Sequence, residues 1–104
     1  MKRPDIVKQI TETIHRIEPT AHIILYGSEA RGDAKADSDI DLLVLLEEDN
    51  EHTLVERELN IVRQLYEVEL ETGVIISPHI VLRRLWEQQT TPFSINVIKE
   101  GITL

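Results

Sequence analysis

The sequence contains no cysteine and few aromatic residues. Its 104 residues include one Trp, one Phe and two Tyr. Without cysteine, disulfides, thiolate metal ligands and cysteine nucleophiles are excluded. Basic residues are also scarce, since 11 Lys and Arg stand against 19 Asp and Glu and leave a net charge of −8. Such a chain lacks the basic face that duplex nucleic acid requires, so we expect no duplex nucleic-acid partner.

Long hydrophobic runs are also missing. No apolar segment approaches the roughly 20 residues of a membrane-spanning helix, and the first residues, MKRPDIVKQI, are too polar for a secretory signal peptide. We therefore expect a cytoplasmic protein without a membrane segment. The length predicts one domain over residues 1–104. A domain of this size can enclose only a small site. We expect a larger site to be completed by a ligand, a second copy or a partner.

Hydrophobic periodicity predicts helices alternating with strands. Apolar residues recur at helical spacing over residues 6–17 and 53–70, and shorter helices are predicted near 82–88 and 92–100. Apolar, partly β-branched runs predict three strands, at 21–26, 39–46 and 73–81. Pro78 in the last of these runs indicates an edge strand or a bulge. The predicted fold class is α/β (α+β), a small three-stranded sheet with helices packed on it.

Two carboxylates open the second predicted strand. In an extended chain Asp39 and Asp41 point to the same side, about 6.6 Å apart along the backbone at a rise of ~3.3 Å per residue. They repel one another unless hard cations lie between them, and all-oxygen ligands favour Mg²⁺ or Mn²⁺. Solvated charges at a strand end are the simpler interpretation of an isolated acidic alternation. The residues upstream favour the metal site.

Those upstream residues form a glycine–serine turn. Gly27 permits a close backbone approach, Ser28 offers a hydroxyl, and a short helix after the turn would present N–H groups to an anion. Arg31 in that helix either reaches a phosphate or is an ordinary surface residue, and the sequence favours neither. Phosphate-binding and metal-binding groups are thus predicted at one edge of the sheet, which fits a nucleoside triphosphate with its magnesium ion.

Two other motifs are excluded by single residues. An EF-hand loop starting at Asp37 requires glycine at its sixth position, which is Leu42. A Walker A loop built on Gly27 and Gly32 requires lysine where the chain has Asp33. Neither a calcium loop nor a P-loop is therefore predicted.

The stretch GSEARGDAKADSDIDLLV resembles the nucleotidyltransferase fold of the DNA polymerase beta superfamily, and within it the minimal nucleotidyltransferase (MNT) group. The shared pattern is Gly-Ser, a spacer, Arg-Gly, and Ser-Asp-hydrophobic-Asp before an apolar strand. The resemblance implies a mixed sheet, with Gly27 and Ser28 holding the triphosphate of ATP. It also implies that Asp39 and Asp41 are catalytic and bind Mg²⁺, while AMP passes to a hydroxyl acceptor and pyrophosphate leaves.

Two features depart from the MNT pattern. Glu29 stands where relatives commonly carry a basic residue, and we expect it to weaken the attraction for phosphate. The third strand has no acid where catalytic relatives place a third carboxylate. Ser77 and His79 lie within that strand, and Glu69 or Glu71 just before it are the nearest carboxylates. A catalytically inactive nucleotide- or partner-binding module of the same fold is therefore the alternative function.

The resemblance also implies a protein partner. MNT-type proteins resemble the antitoxin halves of toxin–antitoxin pairs in which the other half is a HEPN-domain ribonuclease, modified on a tyrosine. The acceptor hydroxyl would then belong to a HEPN-type protein. This protein would neutralise its partner by AMP transfer or by binding alone.

Overall fold

The computed structural model describes all residues, Met1–Leu104. Five helices and four strands follow one another along the chain. They are α1 (Pro4–Ile17), β1 (His22–Tyr26), α2 (Gly27–Arg31), β2 (Ile40–Leu46), α3 (Leu54–Thr72), β3 (Ile76–Leu82), α4 (Arg83–Glu87), α5 (Pro92–Glu100) and β4 (Ile102–Thr103). The predicted fold class, helices packed on a small sheet, is confirmed.

The sheet has four strands in the order β3-β2-β1-β4 rather than the predicted three. β2 runs parallel to β3, whereas β1 is antiparallel to both β2 and β4, so the sheet is mixed. β4 was missed because its two residues are too few to form a periodic pattern. It pairs with β1 through Ile24 and Leu25, and the Leu104 N–H donates to the Ile23 carbonyl at 2.9 Å. Pro78 lies on an edge strand, as predicted.

The side chains of β2 alternate between the two faces of the sheet and contribute to a hydrophobic core on each face. Ile40, Leu42, Val44 and Leu46 are buried beneath α1 and α3 on one face of the sheet. Leu43 and Leu45 point to the other face, where they pack with Trp86 of α4 and Val97 of α5. A strand covered on both faces is apolar at successive positions, which explains the run LLVLL.

Local sequence signals mark where α3 and α5 begin and where α3 ends. Thr53 caps α3 through a capping box with Glu56, and Gly73 ends that helix in the left-handed region with φ +72°. Thr91 forms a second capping box at α5, which has Pro92 in its first turn. No helix in the structure combines the length and hydrophobicity that crossing a bilayer requires.

Candidate functional site

The pairing of β1 with β2 places the glycine–serine turn beside the acidic pair. Tyr26, the last residue of β1, lies opposite Asp41 of β2, so the chain enters Gly27 directly next to that carboxylate. Asp41 is also the register partner of Ser77 on β3. Because side chains alternate along a strand, Asp41 shares its face with Leu43, the face that α4 and α5 cover further along.

Gly27 makes the closest backbone approach to the acidic pair. Its φ is +72°, and a Cβ built on it would lie 2.5 Å from Oδ2 of Asp41. Any other residue would therefore meet both the left-handed backbone penalty and the Asp41 carboxylate. A close backbone approach does occur at Gly27, but the group that it approaches is a carboxylate of this chain, so binding of phosphate there stays a prediction.

Asp41 is half-buried and lies among like charges. Burial raises the pKa of its carboxyl, and the negative charges of Asp39 and Glu100 raise that pKa further, while Arg31 opposes the increase. Burial and the Asp41 charge together raise the pKa of the Tyr26 phenol. A bound cation would relieve this excess of negative charge.

Asp39 lies just before β2 rather than inside it and is exposed. The Ser77 hydroxyl donates to Oδ2 of Asp39 over 3.3 Å. Ser77 therefore faces the acidic pair from the neighbouring strand, at a position where a carboxylate would reach the same space.

Neither glutamate considered as a third carboxylate is directed at the pair. Glu69 accepts a hydrogen bond from the Ile76 backbone N–H at 2.8 Å, and Glu71 accepts one from the side chain of Gln9 in α1 at 2.6 Å. No group of three acidic or histidine side chains is placed to hold a metal ion. The donors that face a metal at the acidic pair are therefore its own two carboxylates and the Ser77 hydroxyl.

Glu100, a carboxylate that the sequence did not indicate, binds two of the groups that were considered for phosphate binding. Oε1 of Glu100, at the end of α5, accepts the Gly27 backbone N–H at 3.0 Å. Its Oε2 accepts from Nη1 of Arg31 at 3.2 Å, and Nε of Arg31 donates to Asp33 at 3.2 Å. The Gly27 N–H and the Arg31 side chain, both considered for phosphate binding, are thus already bound to a carboxylate of the protein. Gly27 and Glu100 are 73 residues apart, so no sequence motif connects them.

The structure corrects the expectation for Glu29. Its side chain is fully buried and points away from the turn surface. Nε of Arg3 donates to Oε1 at 2.6 Å, and the backbone N–H groups of Lys2 and Arg3 donate to Oε2. Burial would raise the pKa of Glu29, but these hydrogen bonds outweigh it and lower that pKa. Glu29 ties the N-terminus to α2 and does not weaken a phosphate site.

The carboxylate donor set fits one hard divalent cation. Mg²⁺ in nucleotide-dependent enzymes is held by one or two carboxylates, substrate phosphates and water. Asp39 and Asp41 supply two carboxylates at the start of β2, and burial together with the charges of Asp39 and Glu100 raises the pKa of Asp41 more than Arg31 lowers it. These two residues are therefore the ones that would hold the metal.

An aromatic cluster borders the acidic pair on the α5 side. The Phe93 ring makes edge-to-face contacts with Tyr26 and His79, both at 5.4 Å between centroids, and with the buried Trp86 at 5.9 Å. His79 of β3 is exposed. The largest surface cavity, about 520 Å³, lies at the other end of β1 between His22 and Arg83. The acidic pair itself faces an open surface.

Comparison with known proteins agrees with this geometry. Residues 7–102 match the model of the nucleotidyltransferase domain family. A crystal structure of a protein from Sulfolobus solfataricus, provisionally named a nucleotidyltransferase, has a TM-score of 0.60 and 19% identity, covering 95% of this chain and 76% of that one. A structure provisionally named a minimal nucleotidyltransferase has a TM-score of 0.61 and 25% identity, covering 100% of this chain and 97% of that one. None of the curated proteins matches.

The fold and the site define a protein of the class that transfers nucleotidyl groups. Because the family model spans nearly the whole chain, this protein belongs to the nucleotidyltransferase domain family. The resemblance to minimal nucleotidyltransferases is confirmed by a structure of nearly the same extent.

Gly27→Ala is expected to displace the Asp41 carboxylate. The new Cβ would lie 2.5 Å from Oδ2, so that carboxylate must rotate toward solvent and its pKa must fall toward the ordinary value. Gly73→Ala is the matched control, because Gly73 has the same φ of +72° and open space around it. Each variant loses about 1–2 kcal/mol of stability from the left-handed backbone. Carboxyl NMR titration of Asp41 tests the difference, and an equal titration in both variants contradicts it.

Asp41→Asn is expected to stabilise the protein at neutral pH in the absence of metal. The pKa of Asp41 is raised in the folded state, so its ionised form opposes folding at pH 7. The gain, less than about 1 kcal/mol for a half-exposed group, should shrink as the pH falls toward 3.8, the ordinary value. Urea unfolding at several pH values measures it, with Asp37→Asn in the exposed turn as control. A variant less stable than the wild type at pH 7 contradicts the repulsion.

Proposed function

We propose that this protein is a Mg²⁺-dependent nucleotidyltransferase that transfers AMP from ATP to a hydroxyl group on a second protein. One observation carries the proposal: Asp39 and Asp41 both lie beside Ser77 of β3, and the Asp41 carboxylate lies against the backbone of Gly27. Metal-binding oxygens and the turn that approaches a triphosphate are thereby adjacent. Membership of the nucleotidyltransferase domain family supports the reaction class.

The proposed step replaces a phosphoanhydride bond at the α-phosphorus of ATP with a phosphoester bond to the acceptor. The acceptor oxygen attacks the α-phosphorus of ATP, and a new P–O bond forms to the acceptor. The bond from the α-phosphorus to the α,β-bridging oxygen breaks, pyrophosphate leaves, and the hydroxyl proton is released to solvent. Positioning and charge neutralisation dominate catalysis of such transfers.

The residues of the site divide this task. Asp39 and Asp41 would hold Mg²⁺, which neutralises charge on the phosphates when it is bound. Ser28 follows Gly27 in the first turn of α2 and is half-buried, and its hydroxyl would contact the triphosphate. Arg31 is exposed and becomes available to phosphate only if it exchanges its carboxylate partners. The role of Arg31 thus depends on Glu100.

The acceptor is proposed to be a HEPN-type protein, with this chain as the MNT antitoxin of the pair. The acidic pair faces open surface, and the surface cavities are lined by residues elsewhere. A second macromolecule can therefore bring its hydroxyl to Asp39 and Asp41 directly. The structurally similar minimal nucleotidyltransferase, which has nearly the same extent, supports a short protein of this kind.

A second candidate is a nucleotide- or partner-binding module without catalysis. Ser77 favours it, because it donates to Asp39 where a third carboxylate would reach the pair. Such a module would bind ATP and Mg²⁺ without turnover. Ser77→Asp separates the two candidates, since a gain of transfer activity would identify the missing carboxylate as the limiting group.

Calorimetric titration with ATP tests the site. We expect binding to the wild type only with Mg²⁺, and its loss in Asp39→Asn/Asp41→Asn because the metal ligands are removed. Asp37→Asn, two residues earlier in an exposed turn, should bind like the wild type. Binding that persists in the double variant would exclude these carboxylates as metal ligands. Absence of binding in every protein would favour a partner-binding role.

Glu100→Gln is expected to strengthen binding of ATP–Mg²⁺. The Glu100 carboxylate holds the Gly27 N–H and Arg31, and it must leave before a phosphate takes those groups. A charge-assisted hydrogen bond contributes about 1.5–3 kcal/mol, so a gain of roughly tenfold is expected. Calorimetry at low salt measures it.

Asp33→Asn is the matched control for Glu100. Asp33 also accepts from Arg31, at 3.2 Å, whereas the Gly27 N–H is held by Glu100. Its substitution should change ATP affinity less than Glu100→Gln does. Weaker binding in Glu100→Gln would show that Glu100 positions the turn rather than competes with phosphate.

A further inference from the structure

The exposed side of α3 carries a continuous apolar stripe. Five large side chains are between 50% and 63% exposed: Val55, Leu59, Val62, Tyr66 and Leu70. Their spacing of four, three, four and four residues places them on one side of the helix, over about 22 Å at 1.5 Å per residue. Scattered apolar residues are normal on a protein surface, but an ordered stripe of this length marks an interaction site.

The stripe is separate from the core-facing side of the same helix. Ile61, Leu65 and Val68 are buried against the sheet, whereas the stripe lies on the opposite side of the helix. The apolar residues of 53–70 thus form two faces of the helix. The hydrophobic core buries only the face that packs on the sheet. α3 also covers the face of the sheet away from Asp39 and Asp41, so a partner on the stripe leaves these carboxylates accessible.

Acidic residues border the stripe on both sides. At 100° per residue, Glu58 and Glu69 lie along one border, while Glu56 and Glu67 lie along the other together with Arg63. Four carboxylates against one guanidinium, on a chain of net charge −8, favour a basic partner. A second copy would bring the same four glutamates and the same net charge to the contact, which opposes self-association.

We infer that this stripe docks an amphipathic helix with a Lys- or Arg-rich border, contributed by a different protein. A helix of about four turns matches the length of the stripe. Its apolar residues would pack between Leu59 and Tyr66. Its basic residues would face the bordering glutamates, of which Glu69 and Glu56 also keep their hydrogen bonds to backbone N–H groups of this chain. The inference rests on α3 alone and holds whether or not the protein transfers AMP.

Two synthetic helices with identical leucine positions test the inference, one with lysines and one with glutamates along the leucine stripe. Fluorescence anisotropy is expected to show binding of the lysine peptide to the wild type and none of the glutamate peptide. Leu59→Ser/Tyr66→Ser should weaken the lysine peptide at least about tenfold, since two exposed apolar anchors are lost. Ile98→Ser is the matched control, because Ile98 is 76% exposed on α5, away from the stripe.

The substituted side chains are exposed, so their loss should leave the thermal unfolding temperature unchanged. A change in peptide binding can then be attributed to the stripe. Equal binding of the lysine peptide to the wild type and the double variant, or no binding at all, overturns the inference. Sedimentation velocity provides the second check. A wild-type dimer that dissociates in Leu59→Ser/Tyr66→Ser would identify a second copy as the occupant and overturn it as well.

Discussion

The contact between the backbone of Gly27 and the carboxylate of Asp41 determines the geometry of the site. It exists because β1 and β2 pair with Tyr26 opposite Asp41. Leu25 and Leu42, next in the same register, are both fully buried. A slip of one residue would move these leucines to the other face, so the core fixes the pairing. Burial of apolar side chains thereby sets the distance between the turn and the acidic pair.

Negative charge is the second constraint on this end of the sheet. Burial raises the pKa of Asp41, the charges of Asp39 and Glu100 raise it further, and Arg31 lowers it. This excess of negative charge opposes the approach of a free phosphate, and the proposal therefore has the nucleotide bind together with its magnesium ion. In this structure the Glu100 carboxylate accepts the hydrogen bond of the Gly27 N–H. Buried backbone donors seldom lack a partner, and an internal carboxylate satisfies this one.

The two faces of the sheet have different roles. The face of Leu43 and Leu45 ends at the acidic pair and the Phe93 cluster. The face of Leu42 and Val44 is sealed by α1 and α3, and α3 presents its apolar stripe to solvent beyond that core. The proposed catalytic site and the proposed docking surface therefore lie on different elements and use different residues.

Local patterns in the sequence were enough to predict most of the helices and strands and to place an acidic pair at the start of β2. Helical spacing, the apolar run after Asp41 and the glycine before Ser28 are local patterns, and each produced the predicted element or turn. Only the tertiary structure placed Glu100 on Gly27 and Glu29 on Arg3, since packing rather than spacing joins residues 73 and 26 positions apart. It also decided which apolar residues of α3 are buried, because periodicity shows that a side chain is hydrophobic but not whether the core has room for it.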